Sequence, residues 1–267
     1  MAFYAVFYHF LSTRIKVLDA IMSWIRNGDR ITKILWLNGP AGAGKSAIAQ
    51  TICEMSAQSG HLAANPMRNS PAHFFSTIAY QLAIRSTEFK IHLEKIVEQD
   101  PLISTKAMDI QLQKLLLLPS EHLGNGEPIP PLVVIDGLDE CINENKQVRI
   151  LQLISNAASI QGFPFCFLIA SRPERHISTE FQKEYISQLF HQISLANIID
   201  DARRDILLVL ECGFLEILEN PIHRDSMHHI TRPWPSQDII EDLASRAVGN
   251  FLTRLQRAVV ATGITIR

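Results

Sequence analysis

Ile34-Leu-Trp-Leu-Asn-Gly-Pro-Ala-Gly-Ala-Gly-Lys-Ser46 is the stretch that decides the fold. Its first four residues are a continuous apolar run, the pattern of a short strand covered on both faces. Gly39 to Ser46 then spells G-x-x-x-x-G-K-[ST], and Lys45 to Met55 continues with helical spacing. At ordinary glycine usage such a match arises by chance in about one chain in a hundred of this length. The strand before it and the helix after it make chance less tenable still.

Each residue type in the motif has a physical reason. Glycines at 39, 42 and 44 let backbone N–H groups turn toward one point without a Cβ in the way. The start of the following helix adds partial positive charge there. Residues Gly39, Pro40, Ala41, Gly42, Ala43 and Gly44 are therefore expected to cradle phosphate oxygens. Lys45 is expected to sit on the β- and γ-phosphates, and the Ser46 hydroxyl to ligate Mg²⁺.

Two further apolar runs end in chemistry. Leu132-Val-Val-Ile-Asp-Gly-Leu-Asp-Glu140 is a buried strand closed by Asp136, a second candidate Mg²⁺ ligand. Asp139 and Glu140 follow at the tip, where a carboxylate can orient or deprotonate an attacking water. Phe167-Leu-Ile-Ala-Ser-Arg-Pro-Glu174 repeats the plan, with Arg172 just beyond a strand and suited to sensing a γ-phosphate. Ligands of parallel sheets collect beyond the carboxyl ends of the strands, so all three segments point to one edge.

Outside these segments the chain alternates between helical and strand-like patterns, as expected for a parallel sheet covered by helices. Helical spacing covers Ile15 to Ile25 (Ser12 or Thr13 capping), Thr77 to Ile84, Phe89 to Ile96, Ile110 to Leu118 and Val148 to Ala158. Leu189 to Leu195 reads as a fourth strand. Gly60, Pro66 and Pro71 break up residues 57–72, and no strand is assigned there. Beyond Asn197 the pattern turns helical, with a break at Arg232-Pro-Trp-Pro-Ser236. The expected organisation is a helical lead-in over 1–29, a nucleotide-binding domain over 30–197 and a partial helical segment over 198–267. The fold class is α/β, a three-layer P-loop NTPase core with helical flanks.

Composition narrows the rest. With 267 residues, 25 basic against 27 acidic and 47% apolar, the chain is neither mostly disordered nor a generally basic nucleic-acid binder. Four cysteines, at 53, 141, 166 and 212, lack disulfide-framework or metal-site spacing, and a reducing, cytoplasmic compartment is expected. No run of eighteen apolar residues occurs. The aromatic opening, Met1 to Leu11, reads as a buried or partner-covered segment. The histidines, His228-His229 included, lack metal spacing, and Arg203-Arg204 sit among Asp200, Asp201 and Asp205 as a solvated face. Cys141 has no evident histidine partner and reads as a packed thiol.

The segments Lys33 to Gln50, Leu132 to Cys141 and Phe167 to Glu174 together resemble the NACHT-domain ATPases of the STAND class. They are most similar to the nephrocystin-like NACHT proteins of filamentous, mushroom-forming fungi. Thr77-Ile-Ala-Tyr-Gln-Leu-Ala83 and Trp234-Pro-Ser-Gln-Asp-Ile-Ile240 add to the likeness, which covers about residues 15–250. The resemblance implies a signalling switch that rests with ADP, exchanges it for ATP and oligomerises with itself or with other NACHT proteins. Such proteins serve innate immunity, nonself recognition or regulated cell death. It places Lys45, Ser46, Asp136 and Arg172 in the phosphate, Mg²⁺ and sensor positions, and Asp139 and Glu140 in the acidic pair.

Three departures stand out. The family's aromatic strand before the Thr77 helix reads here as Ala63 to Ser70, with Phe74-Phe75 the only remaining aromatic character. The helix after Trp234-Pro-Ser carries Arg254 and Gln256 in an apolar seam, and the C-terminal repeats are not in the sequence. No guanine-selective Asn/Thr-Lys-x-Asp is found, which favours ATP over GTP. Slow hydrolysis is the expected activity. A non-hydrolysing scaffold or decoy and a small-molecule P-loop kinase are the other open readings.

Overall fold

A computed structural model describes residues 16–27, 32–66, 73–123, 131–141, 143–196 and 233–248, with parts of 207–218. The Met1 to Leu11 segment, the Ser12 or Thr13 cap, Arg203-Arg204, His228-His229, Arg254 and Gln256 lie outside the described residues. The chain divides into two compact units. One is built from residues 20–38 and 45–193, the other from residues 1–19, 39–44 and 194–267.

The larger unit is a parallel sheet between helices. In chain order its elements are helix α1 (16–26, of which residues 20–26 belong to this unit), strand β1 (Ile34–Asn38), α2 (Lys45–Gln58), β2 (Leu62–Ala64), α3 (Phe74–Arg85) and α4 (Thr87–Gln99). A helical stretch α5 follows over 108–121, wound as a π-helix at Leu112–Leu117. Then come β3 (Leu132–Asp136), α6 (Glu144–Ser159), β4 (Cys166–Ser171), α7 (Arg175–Phe181), α8 (Glu184–Ser187) and β5 (Phe190–Ser194).

The five strands lie in the order β2-β3-β4-β1-β5. β1 pairs with β4, β4 with β3 and β3 with β2, all in parallel. Parallel neighbours need crossover connections, and the long helices supply them. Every residue of β1 and β4 is buried, as their unbroken apolar runs require. Because β4 inserts between β1 and β3, its end is flanked on both sides. Asn38 registers with Ser171, and Asp136 with Ala170. At a strand spacing of about 4.8 Å, the ends of β1 and β3 are therefore only about 10 Å apart.

Side-chain alternation divides the core. Ile34, Trp36, Val133, Ile135, Phe167 and Ile169 share one cluster with residues of α3, α4, α5, α6 and α7. The intervening Leu35, Leu37, Val134 and Leu168 face the other way, toward the side on which α2 packs against β3 and β4. α2 turns Ile48, Ala49, Ile52, Cys53 and Ser56 inward, one stripe at helical spacing. The Ser56 hydroxyl meets Met22 of α1 at 3.8 Å. In the first cluster Trp36 stacks on Phe181 with ring centroids 4.3 Å apart. This three-layer α/β arrangement is the P-loop core expected from the sequence.

The region before the Thr77 helix corrects the sequence reading. A strand does stand there: Leu62, Ala63 and Ala64 are buried beside β3, at the sheet edge. Only three residues long and without alternation, it leaves no periodic signal. It is fixed by distant partners. The Leu132 amide donates to the His61 carbonyl at 2.9 Å. The Gln81 side chain of α3 closes the other end, accepting from the Asn65 amide at 2.7 Å and donating to the Asn65 carbonyl at 3.2 Å. That side-chain amide stands in for a neighbouring strand where the ladder stops. Phe74 and Phe75, the aromatic character that remains in this region, begin α3, buried and packed edge to face.

In the smaller unit, Gly39 is buried against Leu195. A Cβ at this glycine would lie 2.9 Å from the Leu195 Cβ and 3.3 Å from the Ala43 Cβ, so the close approach requires glycine. Phe214 and Trp234 meet edge to face, and helix α9 (Gln237–Val248) buries Ile240 and Ala244, one turn apart.

Candidate functional site

The carboxyl edge of the sheet carries the residues singled out from the sequence. Lys45 and Ser46 open α2, a 14-residue helix whose first-turn N–H groups have no intrahelical acceptor. Asp136 closes β3. The Ser46 hydroxyl donates to the Asp136 carboxylate at 3.1 Å, which joins the two expected cation ligands although 90 residues separate them. A hydroxyl and a carboxylate oxygen at this spacing suit a hard cation such as Mg²⁺, which takes few protein oxygens and completes its shell with water and phosphate. In the loop before them, Gly42 and Gly44 adopt φ of 77° and 86°. That left-handed backbone is what a concave row of N–H groups requires.

Lys45 is half-buried, and burial lowers its pKa below the ordinary lysine value. Asp139, Asp136 and Glu140 act in the opposite sense, while Arg172 adds to the lowering. The cation is thus partly withdrawn from water and faced by acids. The sign for ligand binding follows. Lys45 attracts phosphate only while protonated, and its lowered pKa brings the loss of charge to a less alkaline pH than for a free lysine. Affinity for an anionic ligand should fall as pH rises through that lowered value, and the Lys45→Ala protein should lack this alkaline limb in isothermal titration.

Gly137, at φ 74°, turns the chain sharply after Asp136, and its N–H extends the β3–β4 pairing to the Ala170 carbonyl at 2.9 Å. A one-turn 3-10 helix, Leu138–Glu140, then presents the two acids differently. The Asp139 side chain is only 7% exposed and grips the segment beyond β4. It accepts from the Arg172 backbone N–H at 3.0 Å and lies 3.3 Å from the Arg172 Nε. Glu140 is exposed. The sequence reading treats the two carboxylates as one pair, whereas the fold separates them: Asp139 is engaged with Arg172, and Glu140 points outward from the turn. Arg172, with a side chain 49% exposed, remains accessible from solvent.

Cys141 follows directly. Burial first, then Asp139 and Glu140, push its thiol above the usual range, which keeps it protonated. That agrees with a packed thiol. Among the described residues no group of three or more His, Cys, Asp or Glu is arranged to hold a metal, and no helix is long and apolar enough to cross a membrane.

Two residues that the sequence reading passed over belong to the same edge. Gln147 on α6 is 3% exposed, and its amide nitrogen donates to the carbonyls of Asp139 at 3.2 Å and Cys141 at 2.6 Å. His176 of α7 meets the Gln147 Oε1 through Nε2 at 2.5 Å. The signal was present in part: Gln147 opens the stripe Gln147, Ile150, Leu151, Ile154, Ala158, and a lone amide on such a stripe needs buried partners. A polar cleft of about 360 Å³ lies over these groups, bounded by Glu140, Glu144, Arg172 and His176.

Comparison with known proteins places the chain. The family described as Nephrocystin 3, N-terminal matches residues 15–172, more than half of the sequence. No curated protein matches. Among solved structures, Cdc6p from Pyrobaculum aerophilum aligns over 94% of this chain at 16% identity, with a TM-score of 0.46. The alignment covers 61% of that chain.

Proposed function

We propose that this chain, which belongs to the Nephrocystin 3, N-terminal family, is a nucleotide-operated switch of the NACHT type: it binds ADP or ATP with Mg²⁺ and hydrolyses ATP slowly. The observation that carries the reading is the Ser46–Asp136 contact at 3.1 Å, beside the half-buried Lys45 at the start of α2. Phosphate affinity comes from the N–H groups of Gly39–Gly44 and the α2 N-terminus, together with the Lys45 ammonium. Ser46 and Asp136 hold the divalent ion, which supplies charge that offsets the phosphate oxygens.

The roles of the remaining groups follow from their surroundings. Glu140, exposed beyond the turn, accepts the proton of the attacking water. Arg172 stabilises charge on the transferring phosphoryl group and reports its presence. Asp139 is the positioning group that holds Arg172 before nucleotide arrives. The signalling role, in fungal nonself recognition or regulated cell death, rests on the resemblance of the three motifs, as do a cytoplasmic setting and self-association. The division into a domain over 30–197 with helical flanks belongs to the same reading.

The direct test is to extract and quantify the nucleotide that the protein carries through purification, then to follow phosphate release from added Mg-ATP. Near-stoichiometric ADP with turnover below the usual enzymatic range of about 1 per second is expected. A folded, empty protein that ignores Mg-ATP would overturn the proposal. One observation favours binding without hydrolysis: the Arg172 Nε already lies 3.3 Å from the Asp139 carboxylate. That reading is distinguished by bound ATP that stays intact.

A further inference from the structure

Gln147 and His176 are not among the phosphate, metal or proton-transfer groups, yet they sit where the Arg172 segment meets the acidic turn. The hydrogen-bond logic is determinate. Gln147 gives both hydrogens of its amide nitrogen to the carbonyls of Asp139 and Cys141. The opposite amide orientation would set Oε1 against two carbonyl oxygens and is ruled out on electrostatic grounds. Gln147 Oε1 is therefore an acceptor, and the His176 Nε2 at 2.5 Å must carry the hydrogen that it receives. The His176 Nδ1 faces the Glu144 carboxylate at 3.8 Å.

These contacts close a ring. The Asp139 carboxylate holds the Arg172 N–H, the chain runs four residues from Arg172 to His176, His176 donates to Gln147, and Gln147 donates to the Asp139 carbonyl. Both ends of the turn that carries Glu140, at Asp139 and at Cys141, are thereby tied to α6, and through His176 to the segment bearing Arg172. The ring is nearly buried at Gln147 and partly open at His176, whose side chain is 21% exposed.

We propose that Gln147 and His176 are positioning residues for ATP hydrolysis: they lock the Asp139–Glu140 turn to the Arg172 segment, so that the proton acceptor and the phosphate sensor keep one geometry. The inference rests on the hydrolysis proposed above. Neither residue is among the groups that hold phosphate or the metal in the function proposed above, so their loss should act on turnover and leave binding alone.

The test is a set of purified full-chain variants, His176→Leu, His176→Gln, Gln147→Leu and His176→Leu/Gln147→Leu, compared for Mg-ATP turnover and for ATP affinity by titration. One lost hydrogen bond at a positioned group corresponds to about a tenfold fall in kcat. His176→Leu and Gln147→Leu should each show that fall, with ATP Kd within about twofold of the parent. The double variant should be no worse than Gln147→Leu, because both changes break one ring. His176→Gln, whose amide nitrogen reaches the place of Nε2, should recover most of the turnover. His176 is partly exposed, so its two variants decide the question even if Gln147→Leu does not fold. Turnover at parental level in His176→Leu, or no recovery in His176→Gln, overturns the inference while the hydrolysis reading stands. A parent that binds ATP and never releases phosphate overturns both.

Discussion

Replacing Lys45 by Ala should weaken Mg-ATP binding by about two orders of magnitude and leave the fold intact. The side chain opens α2 and is half-buried, and the charges of Asp139, Asp136 and Glu140 favour its protonated form. Truncating one member of a desolvated charge pair costs about 2–5 kcal/mol, or about 30- to 5,000-fold in affinity. The fold has little to lose. Lys45 is not part of the apolar stripe of α2, which is carried by Ile48, Ala49, Ile52 and Cys53, and alanine is the best helix former. Burial already disfavours the Lys45 cation in the absence of an anion, so thermal stability without nucleotide should hold or rise slightly. Titration of Mg-ATP into parent and variant, with a thermal melt of each, settles the matter. Equal affinities in two folded proteins would remove Lys45 from the site.

Glu140→Gln should suppress ATP hydrolysis by about 10²-fold or more while ATP still binds, since a positioned general base contributes about 10²- to 10⁴-fold. The change is nearly isosteric and falls on an exposed side chain in the turn Leu138–Glu140, so the Gly137 bend and the Asp139 contacts persist. Asp139→Asn is the instructive contrast. Asp139 accepts from the Arg172 backbone and faces its Nε, so its substitution disturbs Arg172 as well as the turn. Single-turnover phosphate release, read beside ATP affinity, separates the two. Loss of turnover alone is expected for Glu140→Gln, and loss of turnover together with altered response to the γ-phosphate for Asp139→Asn. Parental turnover in Glu140→Gln would transfer the proton-accepting role to another group.

The parts of the site that were legible in the sequence are those whose chemistry is local. β1, β3 and β4 each combine an unbroken buried run with a terminal acid, glycine loop or arginine, and the observed strands fall within a residue of the expected ones. Where two partners lie far apart in sequence, no local pattern marks either of them. β2 is three residues held by β3 and by the Gln81 clamp, neither visible from Leu62-Ala-Ala64 itself. Gln147 looks like an irregularity in an apolar stripe until Asp139, Cys141 and His176 are seen around it.

By itself the sequence determined that a G-x-x-x-x-G-K-[ST] loop, three acids and an arginine stand at the ends of buried strands. Glycine spacing, helix starts and two-face burial are properties of neighbouring residues, and one chain encodes them directly. The tertiary structure alone decided the strand order that inserts β4 between β1 and β3. From that order follow the meeting of Ser46 with Asp136, the unequal surroundings of Asp139 and Glu140, and the ring through Gln147 and His176. Pairing between strands separated by a hundred residues is selected by the packing of whole faces against one another. No local window of sequence contains that choice.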